Sequence, residues 1–200
     1  MTALQDFAII LAAGASSRMG TCKTALPWQG STLLAYQCEQ FLLTSVTPIV
    51  VLGPHNLHRQ DDCPQESYVV LNAAPKRGKI SSIQTGLNAL PADWTTLFIA
   101  AVDQPRPVNV YRTLLQTHRE RTALLTAPSY HGKLGHPLVF SNRLASELAI
   151  LSEETLGLRR IVQNLGEAIA KVEFTTPLIL SDLNTPAHYQ EHLRTVTVKR

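Results

Sequence analysis

Cysteines are scarce in this sequence, and their spacing excludes two classes of protein. Only three occur in 200 residues, far apart at Cys22, Cys38 and Cys63. An odd number of widely spaced cysteines provides neither a disulfide framework nor a zinc knuckle. We therefore expect a protein of a reducing compartment, the cytoplasm.

The sequence also lacks a long apolar run and a basic cluster. The apolar run from Phe7 to Ala13 has seven residues, with no basic segment before it, whereas a membrane span needs about 20. Lysines and arginines are spread along the chain, the formal net charge is +3, and 6% of the residues are aromatic. We therefore expect no signal peptide, no membrane association and no nucleic acid partner. The excess cations suit a small anionic ligand.

The composition is that of a globular protein, with 44% apolar and 16% charged residues. We expect one domain over residues 1–200. The apolar runs Ile49–Leu52 and Leu97–Ala100 show no polar alternation, which is typical of parallel strands covered on both faces. Because strand-like and helix-like segments alternate, we predict a doubly wound α/β fold with a mostly parallel sheet and helices on both faces.

Ligands of doubly wound sheets bind outside the carboxyl ends of the strands, so the loops after the strands are candidate sites.

The predicted strands and helices alternate along most of the chain. The predicted strands are Phe7–Ala12, Pro48–Leu52, Ser67–Leu71, Thr96–Val102, Thr122–Ala127, Pro137–Phe140 and Ala168–Phe174. The predicted helices are Ser31–Leu43, Ser81–Leu90, Val108–Arg119, Asn142–Leu151, Thr155–Leu165 and Thr185–Thr195.

The loop after the first predicted strand is the most informative segment. It is rich in Gly, Ala and Ser, carries Arg18, and is followed by Lys23. Small residues let a ligand contact backbone N–H groups, and two cations neutralise the charge of that ligand. The loop therefore predicts a polyphosphate site.

Other interpretations of this loop fit its residues less well. The dinucleotide fingerprint G-x-G-x-x-G is absent because no glycine lies between Gly14 and Gly20, and the Walker motif is absent because Lys23 lies three residues after Gly20. A purely structural strand-to-helix turn would explain the small residues but has no need of Arg18 and Lys23.

Asp103 follows another buried strand, and Pro105 and Pro107 stiffen the segment after it. A carboxylate fixed beside a triphosphate is suited to hold Mg²⁺, which proteins usually bind through one or two carboxylates plus phosphates and water. The alternative role is the N-cap of the helix predicted from Val108, although Asp103 lies far upstream for a cap.

Five segments, in order along the chain, resemble motifs of the MobA-like nucleotidyltransferases. These enzymes transfer a nucleoside monophosphate from an NTP to a phosphate acceptor. The resemblance implies a Rossmann-like nucleotidyltransferase fold with Mg²⁺ as cofactor. The segments are LAAGASSRMGTCK (11–23), RGKISSI (77–83) with Gly86, VDQP (102–105), GHP (135–137) and DLNTP (182–186).

The resemblance also implies the roles of individual residues. Arg18, Lys23 and Asp103 are the expected catalytic residues. Asp103 and Asn184 are the expected metal ligands; Asp182 could replace Asn184, or either residue could cap the helix after it. The expected nucleotide-binding residues are Leu11, Ala12, Ala13, Gly14, Ala15, Ser16, Ser17, Arg18, Lys23, Asn72, Gly78, Ser81 and Ser82.

Within this family the sequence favours CTP as the donor and molybdopterin as the acceptor. The methyl group of Ala13 narrows the space for the base, where guanylyl enzymes usually have glycine, and the hydroxyls of Ser81 and Ser82 can hydrogen-bond a cytosine edge. The GHP segment resembles the cytidylyl branch, and its His136 is the expected acceptor-binding residue. The product would be molybdopterin cytosine dinucleotide, and its recipient a molybdenum hydroxylase.

Two other functions remain open at this point. One is a guanylyl- or other NTP transferase that acts on a different phosphate acceptor. The other is a nucleotide- or cofactor-binding handover protein without turnover. The presence of both cations and of the expected metal-binding carboxylate favours an enzyme.

Overall fold

The computed structural model describes residues 5–154 and 156–197. Its centre is an eight-stranded sheet, and a separate two-stranded hairpin lies after the first loop. The strands are β1 (Asp6–Leu11), β2 (Pro27–Trp28), β3 (Ser31–Thr32), β4 (Thr47–Leu52), β5 (Tyr68–Leu71), β6 (Thr96–Ala101), β7 (Leu125–Tyr130), β8 (Lys133–Leu134), β9 (Leu138–Ser141) and β10 (Ala170–Glu173).

The strand order confirms the predicted mostly parallel sheet. Along the sheet the strands follow the order β10-β7-β9-β6-β1-β4-β5, and β8 pairs with β7. Strand β1 lies at the centre and runs parallel to β4 and β6, with Ile9 opposite Ile49 and Ile99. Strand β9 is antiparallel to β6 and β7. The carboxyl ends of β1, β4 and β6 therefore meet at one edge.

Helices cover both faces of the sheet, as predicted. Alternate β1 residues face opposite sides: Ile10 packs in the core beneath α1 and α3, and Ile9 in the core beneath α2, α4 and α5. In the described part of the chain, no helix is long and apolar enough to cross a bilayer. The helices are α1 (Leu33–Leu42), α2 (Lys79–Leu87), α3 (Val108–Glu120), α4 (Ala145–Ala149), α5 (Leu158–Leu165) and α6 (Pro186–Thr197).

Gly86 lets α2 approach the central strand. A Cβ atom at this position would lie 2.7 Å from Cγ2 of Ile9, which is closer than carbon atoms pack. The helix therefore rests directly on β1, and its amino end lies beside the loop that leaves that strand. This contact explains the glycine of the second motif segment.

Several predicted boundaries are wrong for local reasons. Helix α1 begins at Leu33 instead of Ser31, because β3 pairs with β2 and the Thr32 hydroxyl accepts a hydrogen bond from Ala35 N at 3.2 Å. The strand predicted from Thr122 begins at Leu125, and the predicted helix over 142–151 divides into a 3₁₀ turn and α4.

The fifth predicted helix starts later than expected. Its predicted first residue, Thr155, lies outside the described residues. Leu156 and Gly157 have positive φ angles of 62° and 54°, which are incompatible with a right-handed helix. Helix α5 therefore begins at Leu158.

Candidate active site

An open cavity of about 480 Å³ lies at the carboxyl edge of the sheet, where β1 and β6 end. This is where a doubly wound fold binds its ligands. Its walls bring together segments from four parts of the chain. They are formed by Leu11, Ala13, Gly14, Ser16, Ser17, Arg18, Lys23, Pro75, Gly78, Lys79, Ser82, Ala101, Val102, Asp103, Gln104, Asp182 and Asn184.

Most of the predicted loop residues line this cavity, but Ala12 and Ala15 do not. Ala12 is buried and continues the sheet, since its N–H donates to Val51 O at 3.0 Å. The Arg18 side chain is exposed at the cavity wall. Within residues 5–154 and 156–197, no hydrogen bond engages its guanidinium, so the cation is free to meet an anion.

Two residues that sequence reasoning missed hold this loop in place. Asn56 is fully buried; its Nδ2 donates to Ala12 O at 2.9 Å, and its Oδ1 accepts from Gly53 N at 2.8 Å. The His55 ring nitrogen Nε2 lies 3.2 Å from Gly14 O. Both follow β4, and only the pairing of β4 with β1 brings them to the loop.

Lys23, Asp103 and Asn184 meet at one point of the cavity. The Lys23 ammonium donates to Asp103 Oδ2 at 2.6 Å and to Asn184 Oδ1 at 2.9 Å. The side chains of Lys23 and Asp103 are only 11% and 19% exposed, so water screens the attraction between their charges less than in a surface pair. Two hard oxygen atoms that converge on one cation also fit a divalent metal ion.

The capping alternatives for these residues are wrong. Helix α3 has Pro107 as its N-cap, so Asp103 does not cap it. At the start of α6, the Thr185 hydroxyl accepts from His188 N at 3.3 Å. Asp182 lines the cavity but accepts from Gln104 Nε2 at 2.8 Å instead of contacting Lys23.

The donor set is too small to hold a metal ion tightly by itself. Among the residues that the structure describes, no three His, Cys, Asp or Glu side chains form a metal-binding group. Asp103 and Asn184 would therefore share a cation with ligand phosphates and water, which is the usual arrangement for Mg²⁺.

Arg106 is a buried cation that sequence reasoning also missed, although it follows directly on the VDQP segment. It is 1% exposed, and its guanidinium donates only to backbone carbonyls within the described chain. Burial lowers its pKa, and the nearby carboxylates of Asp182 and Asp103 oppose that shift. The acceptors are Pro105 O at 3.0 Å, His136 O at 3.3 Å, Ile179 O at 3.3 Å and Ser181 O at 2.8 Å.

The RGKISSI segment (77–83) is fixed in position by the side-chain amide of Asn72. Its Nδ2 donates to the hydroxyls of Ser81 and Ser82 at 2.8 and 2.9 Å. Ser82 lines the cavity, whereas Ser81 and Asn72 do not; the Ser81 hydroxyl donates to Gly78 O at 3.0 Å. Gly78 itself lines the cavity with a φ of 100°, a conformation that favours glycine.

His136 lies in the wall of a neighbouring cavity instead of the first one. Burial lowers its pKa to about 4, and the charge of Lys79 contributes in the same direction. The imidazole is therefore neutral at neutral pH. Its nitrogens can exchange hydrogen bonds with an uncharged group.

The buried amide of Asn56 gives a prediction about the stability of the loop. The substitution Asn56→Ala leaves Gly53 N and Ala12 O without their buried partner, so we expect the free energy of unfolding to fall by about 2–4 kcal/mol. The exposed Asn164 on α5 is the control, and Asn164→Ala should change it by less than about 0.5 kcal/mol. Urea unfolding measures both, and equal stability of the two variants would contradict the assigned role.

The family of the chain follows from comparison with known proteins. The sequence model of the MobA-like NTP transferase domain matches residues 8–169. The chain is similar to the molybdenum cofactor cytidylyltransferase of Escherichia coli, with 26% identity over 89% of this chain and 90% of that protein. It is also similar to a probable molybdenum cofactor guanylyltransferase of Bacillus cereus, with 31% identity over 82% of this chain and 80% of that protein.

A solved structure shows the same fold. A nucleotidyl transferase from Methanothermobacter superposes with a TM-score of 0.81 at 21% identity and covers 98% of this chain and 99% of that one. The matched family region contains the loop with Arg18 and Lys23, Asp103 and the GHP segment. The chain is a nucleotidyltransferase and belongs to the MobA-like NTP transferase family.

Proposed function

We propose that the protein transfers the cytidylyl group of CTP to the terminal phosphate of molybdopterin and releases pyrophosphate. The observation that carries this proposal is the meeting of Lys23, Asp103 and Asn184 beside a backbone loop suited to phosphates. A cation-binding pair of oxygens next to such a loop is what a metal–triphosphate complex needs.

Mg²⁺ is the cofactor we propose for this site. Asp103 Oδ2 and Asn184 Oδ1 would hold it, because both already face a cation. When bound, Mg²⁺ would neutralise charge on the triphosphate and polarise its phosphoryl oxygens. The Lys23 ammonium, released from these oxygens, would then pair with a phosphate oxygen.

The transfer itself needs no general base from the protein. The terminal phosphate of the acceptor is ionised near neutral pH, and one of its oxygens attacks the α-phosphorus of CTP. The new oxygen–phosphorus bond forms as the bond to the bridging oxygen of the β-phosphate breaks, and its electron pair leaves with pyrophosphate. Arg18 and Lys23 would stabilise the negative charge, so catalysis consists of positioning and charge neutralisation.

The choice of CTP rests on two groups of the cavity wall. The Ala13 side chain is 2% exposed and lines the cavity, so its methyl group limits the depth available to a base. The Ser82 hydroxyl lines the same cavity and can hydrogen-bond the cytosine edge. A molybdenum hydroxylase would receive the dinucleotide product.

A product assay tests this function. Purified protein is incubated with Mg²⁺, molybdopterin and either CTP or GTP, and pyrophosphate release is measured. We expect kcat/KM for CTP to exceed that for GTP by about tenfold or more.

The variant Asp103→Asn should lose about 100-fold in kcat because a carboxylate ligand is removed. The control Asp61→Asn alters an exposed residue outside the cavity and should leave the rate unchanged.

Each alternative function has its own result in this assay. Turnover with GTP but not CTP would overturn the assignment of the base. Turnover only with another phosphate acceptor would overturn the assignment of molybdopterin as the acceptor. Nucleotide binding without pyrophosphate release, in the presence of every acceptor, would favour the handover protein.

The methyl group of Ala13 gives a second prediction. The substitution Ala13→Gly widens the cavity, so we expect the ratio of kcat/KM for GTP to that for CTP to rise about tenfold, mainly through KM. Ala15→Gly is the matched control, since it adds the same backbone freedom to the loop at a position outside the cavity wall. An equal ratio in the two variants would show that Ala13 does not select the base.

A further inference from the structure

A second cavity of about 350 Å³ adjoins the first. It lies between α2, the GHP segment and α5, and Lys79 belongs to the walls of both cavities. The function proposed above uses only the first of them. The second is lined by Lys79, Ile80, Ile83, Leu134, Gly135, His136, Leu138, Glu153, Leu156, Gly157, Leu158, Arg159 and Val162.

We propose that this second cavity binds the acceptor and that Lys79 holds the acceptor's phosphate where the two cavities meet. The proposal rests on the function proposed above and specifies its second substrate site. The chemical class is a phosphate monoester that carries a flat, uncharged ring system.

The apolar part of the cavity suits such a ring system. Ile80 and Ile83 of α2 and Leu138 of β9 are buried side chains that line it, and Val162 of α5 adds to the same surface. Apolar walls with a few polar groups are typical of small-molecule sites. A planar ring would replace water over these side chains and gain the free energy of apolar burial.

The polar part of the cavity recognises both ends of this ligand. The neutral His136 imidazole can exchange a hydrogen bond with the edge of an uncharged ring. Lys79 and Arg159 supply two cations against one carboxylate, that of Glu153. Because the local charge is positive, a phosphate is favoured over a neutral substituent.

The Glu153 carboxylate is anchored to the first turn of α2. Its Oε1 accepts from Ile80 N at 2.8 Å, in the first turn of α2. A Cβ atom on Gly78 would lie 2.2 Å from the same oxygen. Glu153 therefore fixes the wall between the cavities, and Lys79 projects from that wall.

The shared lysine gives the acceptor a route to the reaction. A phosphate on Lys79 lies at the boundary of the first cavity, whose walls also include Arg18 and Lys23. The acceptor oxygen can then attack the α-phosphorus from the second cavity while the departing pyrophosphate stays on the loop. Both substrates are bound at once, so transfer needs no covalent enzyme intermediate.

Two variants test this proposal, one at each end of the ligand. Val162→Trp fills the apolar part of the cavity, and Lys79→Ala removes the exposed cation without disturbing the core. We expect each to raise KM for molybdopterin about tenfold or more. In Val162→Trp the dissociation constant of CTP, measured by calorimetry without acceptor, should change less than about twofold, because Val162 does not line the first cavity. In Lys79→Ala the rise in KM for molybdopterin should exceed any change in CTP affinity, because Lys79 lines both cavities. Lys76→Ala is the matched control, since Lys76 is exposed nearby and lines neither cavity.

The outcomes separate this inference from the proposed function. Unchanged KM for molybdopterin in both variants would overturn the inference, and so would a weaker CTP affinity that accounts for the whole effect. If the wild-type protein releases no pyrophosphate, calorimetry with molybdopterin alone still decides. If molybdopterin binds the wild type but not Lys79→Ala, the acceptor cavity is supported although the transfer function fails. If the wild type and Lys79→Ala bind molybdopterin equally well, the inference about the acceptor cavity is overturned.

Discussion

The site depends on the hydrogen bonds that the buried Arg106 guanidinium donates to backbone carbonyls. It donates to carbonyls of three separate chain segments, at Pro105, His136 and the stretch from Ile179 to Ser181. Ile179 O also accepts from His136 N at 3.0 Å, but each of the other carbonyls would cost about 1–3 kcal/mol if it were left buried without a partner. A single arginine with five N–H donors satisfies them together. The end of the β6 loop, the GHP segment and the approach to α6 are thus held as one unit.

This unit explains how distant residues converge on one cation. Leu183 N donates to Asp103 O at 2.8 Å, next to the segment that Arg106 holds. Asp103 and Asn184 therefore lie side by side and share the Lys23 ammonium. In the ligand-free protein the lysine neutralises the carboxylate. In the proposed function, the same two oxygens would hold Mg²⁺ when phosphates draw the lysine away.

The sequence predicted features that depend on a local pattern or on a family motif, and it failed where segments without such a signal meet. Runs without alternation predicted a parallel sheet, and small residues followed by cations predicted the loop, because both signals lie within a few neighbouring positions. Asn56, Arg106 and Glu153 act on residues tens of positions away, so no spacing in the chain indicates them. Ser81 is the opposite case. Its hydroxyl was predicted to bind the nucleotide because a hydroxyl can hydrogen-bond a base, but in the structure it is hydrogen-bonded to the Asn72 amide and to Gly78 O.

In the proposed function, Arg106 holds together the cavity that would bind the nucleotide and Mg²⁺. An electron paramagnetic resonance titration of Mn²⁺, with CTP present, tests it without relying on turnover. We expect the wild type to bind Mn²⁺ and Arg106→Met to bind it about 10–100-fold more weakly. The control Arg112→Met removes an exposed arginine that also donates to a carbonyl, Leu43 O at 3.0 Å, and should not change the affinity. A folded Arg106→Met protein with wild-type Mn²⁺ affinity would contradict the account.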